Sequence, residues 1–514
     1  MKKRWILLIS FTLVLASCFG TTSLEFVPYT NSTTELDTFQ SEVATYHLPA
    51  NAYFNNNSLH TTEITNFAQI ESSHDNNIVF SEEDEEVHLL VVPMSFSGAI
   101  EDEQAEKTVL LQNAFFGDSS KTAYQSVASY YDKSSYGHVQ IKGQVTDWFT
   151  SSCTIEEARA TSTPLKVSSD IANEIVAWLI NSGFDLSDYL SEDQTYIRGL
   201  YIVYDYPPNY DDSKSLFWAY VDRASTGAMS PFASTYAWSS IDFIGQNAYS
   251  SHYVETNTFI HEVGHLFGLR DYYNTIDNDG YQPTGFFDMM DYNLGDHCSF
   301  SKYLLHWATP YVLQEAETIT LRSFTESGDF ILIPTSTWNG TPYDEYLLVE
   351  YFTPDGLNDS STFSSYIYTD GYGENRVFYY PNYHGLRIYH IDARLAYYRA
   401  PNGRAPIGYV DNLTVENLSS YTSLYVGLAH DNSPSNTAQP TLCHLLSAEG
   451  DSHFENGIAA DNNTLFAYHD TFGMDTDSYA NFTFNKNNEL LPYSMMINHM
   501  GTDQITITFT AKNS

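Results

Sequence analysis

Basic residues are scarce in this chain. Of 514 residues only 22 are Lys or Arg, against 64 Asp or Glu, for a formal net charge of −42. Charged residues of both signs together make up 17%, below the roughly 25% common in soluble proteins. The imbalance therefore reflects missing cations more than added acids. A surface of that sign repels phosphate backbones and anionic headgroups, which excludes nucleic acid as a partner and excludes a polybasic membrane patch. Cysteine is also sparse: Cys18, Cys153, Cys298 and Cys443, with no C-x-x-C spacing. That excludes a disulfide framework and a thiolate zinc site. The last three are expected as buried single thiols, with one disulfide as the alternative. Long hydrophobic runs are missing as well, since no stretch reaches the ~18 apolar residues of a membrane span. Apolar residues as such are plentiful, at 42% hydrophobic and 15% aromatic, which excludes disorder over most of the length. A chain this long is expected to form two or three domains with sizeable cores.

The first residues read as a targeting segment. Lys2, Lys3 and Arg4 precede an apolar run from Trp5 to Ala16, which matches the hydrophobic region of a secretory signal and is too short for a span. Leu15-Ala16-Ser17-Cys18 resembles a bacterial lipobox, which implies removal of residues 1–17 and lipidation of Cys18. The expectation is an exported, cell-surface lipoprotein, held to the membrane by lipid alone and monomeric. Residues 18–81, rich in Thr, Ser and Asn, read as a polar tether or propeptide.

Helices and strands alternate over 82–310. Val87–Met94 and Leu200–Tyr204 read as buried strands, Val109–Phe116 and Leu165–Ile180 as helices. After Pro310 short alternating segments recur: Thr318–Leu321, Phe330–Ile333, Tyr346–Tyr351, Gly385–Ile391 and Gln504–Phe509. These predict a β-rich, sandwich-type domain over 311–514, and an α+β fold class for the whole.

The segment that carries chemistry is His261-Glu262-Val263-Gly264-His265-Leu266-Phe267-Gly268-Leu269-Arg270-Asp271. On a helix His261 and His265 lie one turn apart on one face, so both imidazoles can reach one Zn²⁺. Glu262 sits beside that face, where it can act as general base on a water at the metal's open position. Gly268 can take the left-handed conformation that ends a helix, after which the reversing chain can bring in Asp271 as third ligand. The competing class of H-E-x-x-H enzymes takes a downstream Glu instead. No Glu occurs between Asp271 and Gln314, so Asp271 is the better candidate.

This stretch resembles the H-E-x-x-H-x-x-G-x-x-D motif of metzincin proteases, and the chain resembles more narrowly the immune inhibitor A–like family of secreted bacterial metalloproteases. Leu90–Phe96, Ser126–Trp148 and Phe300–Trp307 resemble further blocks of that family. Phe287-Asp288-Met289-Met290 resembles its Met-turn, which implies Met290 as the residue under the metal. Arg270 and Phe287 depart from the Pro and Trp often found there. The resemblance implies a metzincin-like catalytic domain over 82–310, zinc as cofactor, and hydrolysis of protein or peptide substrates. Tyr292 lies two residues past Met290, where some metzincins place a Tyr that ligates zinc or stabilises the oxyanion. Asp277-Asn278-Asp279-Gly280 offers hard oxygens at Asp277 and Asp279, suited to Ca²⁺; its other reading is a polar turn. The rival from another class is a surface lipoprotein that binds a ligand or glycan and carries a vestigial protease domain. The intact Glu262 speaks against it.

Overall fold

A computed structural model describes residues 79–80, 85–99, 103–209, 212, 215–224, 230–245, 248, 253–276, 280–370, 372–398, 408–409, 425–433, 440–450 and 452–512. The signal segment, Cys18, nearly all of the tether, and both Asp277 and Asp279 lie outside these residues. Among the described residues no helix is long and apolar enough to cross a membrane.

The first half is built on one six-stranded sheet. Its spatial order is β2 (Gln140–Val145), β1 (Glu86–Ser97), β4 (Leu200–Tyr204), β6 (Thr235–Ser240) and β5 (Tyr220–Arg223), with β3 (Phe149–Thr154) also paired to β1. All neighbours run parallel except β5, which lies antiparallel to β6 at the edge. Strand β1 is apolar almost throughout because both faces are covered. Leu89 and Val91 enter one core, while Leu90, Val92, Met94 and Phe96 enter the other. Helix α3 (Pro164–Ser182) covers the second face through Ile171, Ile175, Val176 and Leu179. Helices α1 (Gln104–Phe116), α2 (Val127–Ser134) and α4 (Asn257–Leu266) cover the first. Ser126 caps α2, its hydroxyl accepting from the Ser129 N–H at 3.2 Å.

Among the described residues, beside a three-stranded and a two-stranded sheet, the second half holds two large ones. One has the order β14 (Cys443–Leu446), β13 (Gly385–Asp392), β10 (Glu345–Phe352), β9 (Phe330–Pro334) and β7 (Tyr311–Val312). The other has β8 (Thr318–Arg322), β17 (Gln504–Ala511), β16 (Tyr493–Met500) and β15 (Thr471–Phe472). They face each other across a core of Ile331, Ile333, Leu347, Val349 and Ile388 on one side and Ile319, Leu321, Ile497, Ile505 and Ile507 on the other. The fold is thus α+β, with a sandwich in its second half. The opposite face of the five-stranded sheet is also buried. Its Phe330, Leu332, Tyr346, Leu348, Phe352 and Tyr389 share a core with α2, α4 and Phe287 from the first half. Every residue of β10 is buried for this reason.

Polar groups are paired across the same boundary. Arg387 and Glu350, both fully buried, form an ion pair. The guanidinium lies 4.9 Å from the Phe287 ring and 5.0 Å from that of Phe352. Glu350 Oε2 accepts from the Ser299 N–H at 2.7 Å, at the start of helix α6 (Ser299–Leu304). Cys153, Cys298 and Cys443 are unbonded. Cys298 and Cys443 are buried, and Cys298 Sγ lies 4.0 Å from Ser301 Oγ.

Candidate metal centre

Helix α4 enters the first core through Phe259, Ile260, Val263 and Leu266. The Phe259 ring lies 5.1 Å from that of Phe115 and 5.9 Å from that of Tyr201. Tyr131 of α2 donates its hydroxyl to the Ile260 carbonyl at 2.8 Å. The helix is therefore clamped on its apolar sides, and the remaining side carries His261 and His265. After Leu266 the chain turns: the Gly268 N–H returns to the His265 carbonyl at 2.9 Å, and Gly268 has φ +92°, a left-handed value that favours glycine. The reversal delivers Asp271. Its Oδ1 lies 3.1 Å from His261 Nε2 and 3.2 Å from His265 Nε2, and the three candidate ligand atoms all fall within 4.8 Å of one another.

The outer nitrogens are fixed as a metal site requires. His261 Nδ1 lies 2.9 Å from the Met289 carbonyl oxygen and His265 Nδ1 lies 2.8 Å from that of Leu269. A carbonyl only accepts, so each Nδ1 donates, and each Nε2, turned toward Asp271, is the atom that would offer its lone pair to a metal once its proton is lost. Glu262 is buried beside them, with Oε2 unpartnered. Burial pushes the Glu262 carboxyl up against the pull of His261 and His265. Burial would lower His265, but Asp271 outweighs it and lifts the imidazole to about 9. Burial would raise Asp271, yet the two histidines hold it well below the ordinary carboxylate range. Two nitrogen donors and one carboxylate, turned to one point, make a donor set that fits Zn²⁺ with an open position.

Under the helix sits α5 (Met289–Tyr292). A Cβ built on Gly264 would come 2.5 Å from Met290 Sδ, so the Met290 sulfur lies directly against the helix backbone between the two histidines. Asp288 caps α5, accepting from the Met290 N–H at 2.7 Å and the Cys298 N–H at 2.9 Å. Burial pushes its carboxyl up to about 6. Asp291 accepts from the Thr284 hydroxyl at 2.5 Å and the Phe286 N–H at 2.8 Å, and burial pushes it up to about 7.

The structure thus gathers His261, Glu262, His265, Asp271, Gly268 and Met290. It places Tyr292 among aromatic rings: Phe286 at 4.5 Å, Tyr366 at 5.2 Å and Phe378 at 6.4 Å. The last two belong to a hairpin of β11 (Tyr366–Thr369) and β12 (Asn375–Phe378). A second tyrosine, Tyr273, has its ring against a candidate ligand. Its ring lies 6.4 Å from that of His261 at an interplanar angle of 27°. Sequence reasoning missed Tyr273. The available signal was its place two residues after the third candidate ligand, on the segment that must fold back.

No family profile matches the chain, and no curated protein matches it by sequence. Among solved structures it is similar to metalloproteinase-II from Bacteroides fragilis, at 14% identity and a TM-score of 0.20, covering 46% of this chain. The chain spans about half of that protein's length, 52%. It is also similar to a catalytically inactive OgpA from Akkermansia muciniphila in complex with an O-glycopeptide substrate. That likeness has 11% identity and a TM-score of 0.23, and covers 63% of this chain and 94% of the other. Both likenesses are slight. Neither structure is described as an immune inhibitor A protein.

Proposed function

We propose that this chain is a zinc-dependent endopeptidase of the metzincin kind, exported and anchored at the cell surface through a lipid on Cys18. The observation that carries the reading is the convergence of His261 Nε2 and His265 Nε2 on Asp271 Oδ1, next to a buried Glu262 whose Oε2 has no partner. A zinc ion held by these three residues supplies Lewis acidity toward a peptide carbonyl and toward an attacking water. Glu262 is the base: its Oε2 takes the proton of that water and passes it to the leaving amine. The raised carboxyl of Glu262 suits this task, since a stronger conjugate base accepts a proton more readily. Met290 and the clamped helix hold His261 and His265 at fixed spacing. Edge strand β5 is hydrogen-bonded on one side by β6 and packs near α4. Among the described residues no strand pairs with its other side, which can take an extended peptide as an added strand, using main-chain hydrogen bonds that accept many sequences.

Glu262→Gln tests the reaction. The variant is expected to keep one zinc per chain and to lose casein hydrolysis by about 100-fold or more; cleavage at the wild-type rate would refute the mechanism. The anchor is tested separately. Cys18→Ala should move the protein from the membrane fraction to the medium and abolish labelling by a radioactive fatty acid. An unlabelled wild type would remove the lipid from the reading and leave the protease untouched.

A further inference from the structure

We infer that Asn432 and Ser433 are positioning residues for the metal centre, gripping the segment that carries Asp271 so that its carboxylate faces the two histidines. The inference rests on the zinc reading above and adds to it two residues of the second half, far outside the H-E-x-x-H-x-x-G-x-x-D pattern.

The three candidate ligands differ in how their backbone is held. His261 and His265 stand on helix α4, whose own ladder and apolar packing fix them. Asp271 stands on the chain that returns after Gly268, where residues 269–276 belong to no helix or strand. Main-chain groups there need partners from elsewhere. Tyr272 finds them on both sides. Its N–H donates to the Met290 carbonyl at 2.8 Å, and its carbonyl accepts from Asn432 Nδ2 at 2.8 Å. These two bonds fix the peptide units before and after Tyr272, and Asp271 is joined directly to the first of them.

Asn432 is fixed in turn by the five-stranded sheet. Its Oδ1 accepts from the Cys443 N–H at 2.9 Å, and its Nδ2 donates to the Cys443 carbonyl at 2.7 Å. The carboxamide thus pairs with the first residue of β14 as the main chain of a strand would. One N–H is left to give, and it reaches Tyr272. The same pairing decides which end of the amide is the donor. Turned over, it would set its oxygen against two carbonyls and its NH₂ against an N–H. Asn432 is 1% exposed, so bulk water does not compete for these bonds. Its neighbour acts on the same segment. Ser433 Oγ accepts from the Thr275 N–H at 2.8 Å and lies 2.7 Å from Thr275 Oγ1. The returning chain is therefore gripped at two points just past Asp271, and the sheet of the second half reaches the third ligand at one remove.

Asn432→Ala is the first test, because it removes all three bonds of the carboxamide. The readouts are the zinc dissociation constant of the full chain, measured by competition with a chromophoric chelator, and the visible spectrum of the Co²⁺-substituted protein. Both are taken on folded protein, so a loss of stability alone moves neither. Wild type should bind one zinc. The variant should bind about 10-fold more weakly, with an altered Co²⁺ spectrum, a lowered kcat on casein and an unchanged KM. Ser433→Ala is the second test, at an exposed hydrogen bond whose loss the fold can bear. It should weaken zinc binding in the same direction and by less, and it decides the matter if Asn432→Ala does not fold. Zinc affinity and a Co²⁺ spectrum equal to wild type in the folded variants would overturn the inference while leaving the protease reading intact. A lowered urea midpoint in excess chelator, with both readouts unmoved, would overturn it in the same way, by making Asn432 a packing residue. If wild type itself binds no zinc, the reading of the whole centre fails.

Discussion

Glu262, Asp288 and Asp291 are three buried carboxylates within one small region, and burial raises each of them. They differ in what they hold. Asp288 spends its oxygens on two backbone N–H groups, while Asp291 leaves Oδ1 unpartnered. The sign of the pH effect follows. A free Asp titrates near 3.9, whereas Asp291 in the folded chain titrates near 7. Between these values the folded state binds more protons than the unfolded one, so stability falls as pH rises from about 4 to about 7 and is level above that. Asp291→Asn can keep the bonds from Thr284 and Phe286 through its carbonyl oxygen. Urea denaturation of the two proteins from pH 4 to pH 8 should show wild type losing stability relative to the variant over that interval. A constant difference would mean that Asp291 is not raised. At this scale the sequence was legible where spacing dictates geometry: His261, Glu262 and His265 are fixed by one helical turn, and Asp271 follows from the reversal at Gly268. Tyr273 was not legible. With 41 tyrosines in the chain, position alone cannot say which one stacks on a ligand. Tyr292 fits a known offset, yet its ring packs with Phe286 and the β11–β12 hairpin.

Helix α4 and the turn at Met289–Met290 work as a pair. The contact between them is backbone against sulfur, because Gly264 has no side chain to keep Met290 away. Gly264→Ala should bring a methyl to 2.5 Å from Met290 Sδ, with Tyr131 Oη a further neighbour at 3.3 Å. Overpacking of this kind costs about 1–3 kcal/mol, read as a lower urea midpoint, and zinc affinity should fall with it as α4 and α5 move apart. An unchanged midpoint would show that Met290 swings aside freely. Individual elements follow the apolar pattern closely: Leu200–Tyr204 is a strand over those very residues, and Leu165–Ile180 lies within helix α3. The pairing of elements does not. Strand β1 takes β4 and β2 as partners across more than forty intervening residues, and no local period encodes that choice. The hairpin at β11–β12 was missed because its outward Ile367 and Val377 blur the alternation between apolar and polar faces.

At the scale of the molecule, residue 310 marks a change of pattern while the core continues through it. Tyr346, Leu348, Phe352, Tyr389 and Leu445 belong to the same buried cluster as Tyr131, Phe259 and Met290. A chain ended at Pro310 would expose that face of the first half. It should show no cooperative thermal transition by circular dichroism and no stoichiometric zinc binding. A sharp transition in that fragment would show that the first half folds without the sheets that follow. The charge imbalance that dominates the composition enters this architecture little. The carboxylates that matter are the buried ones, each with a named partner or a named vacancy at one oxygen.

The loop that leads into Met289–Met290 is hydrogen-bonded by chain made much later. Leu445 donates to the Pro283 carbonyl at 2.9 Å, Gln282 donates to that of Phe454 at 3.0 Å, and Ala460 donates to that of Gly285 at 2.9 Å. Synthesis delivers the chain from its N-terminus, so the two histidines and Asp271 emerge well before the segment that braces the floor beneath them. A nascent protein at that stage carries the motif without its support. The dependence of the floor on residues near 450 thus sets an order of assembly, in which the centre gains its brace only after most of the polypeptide has been made.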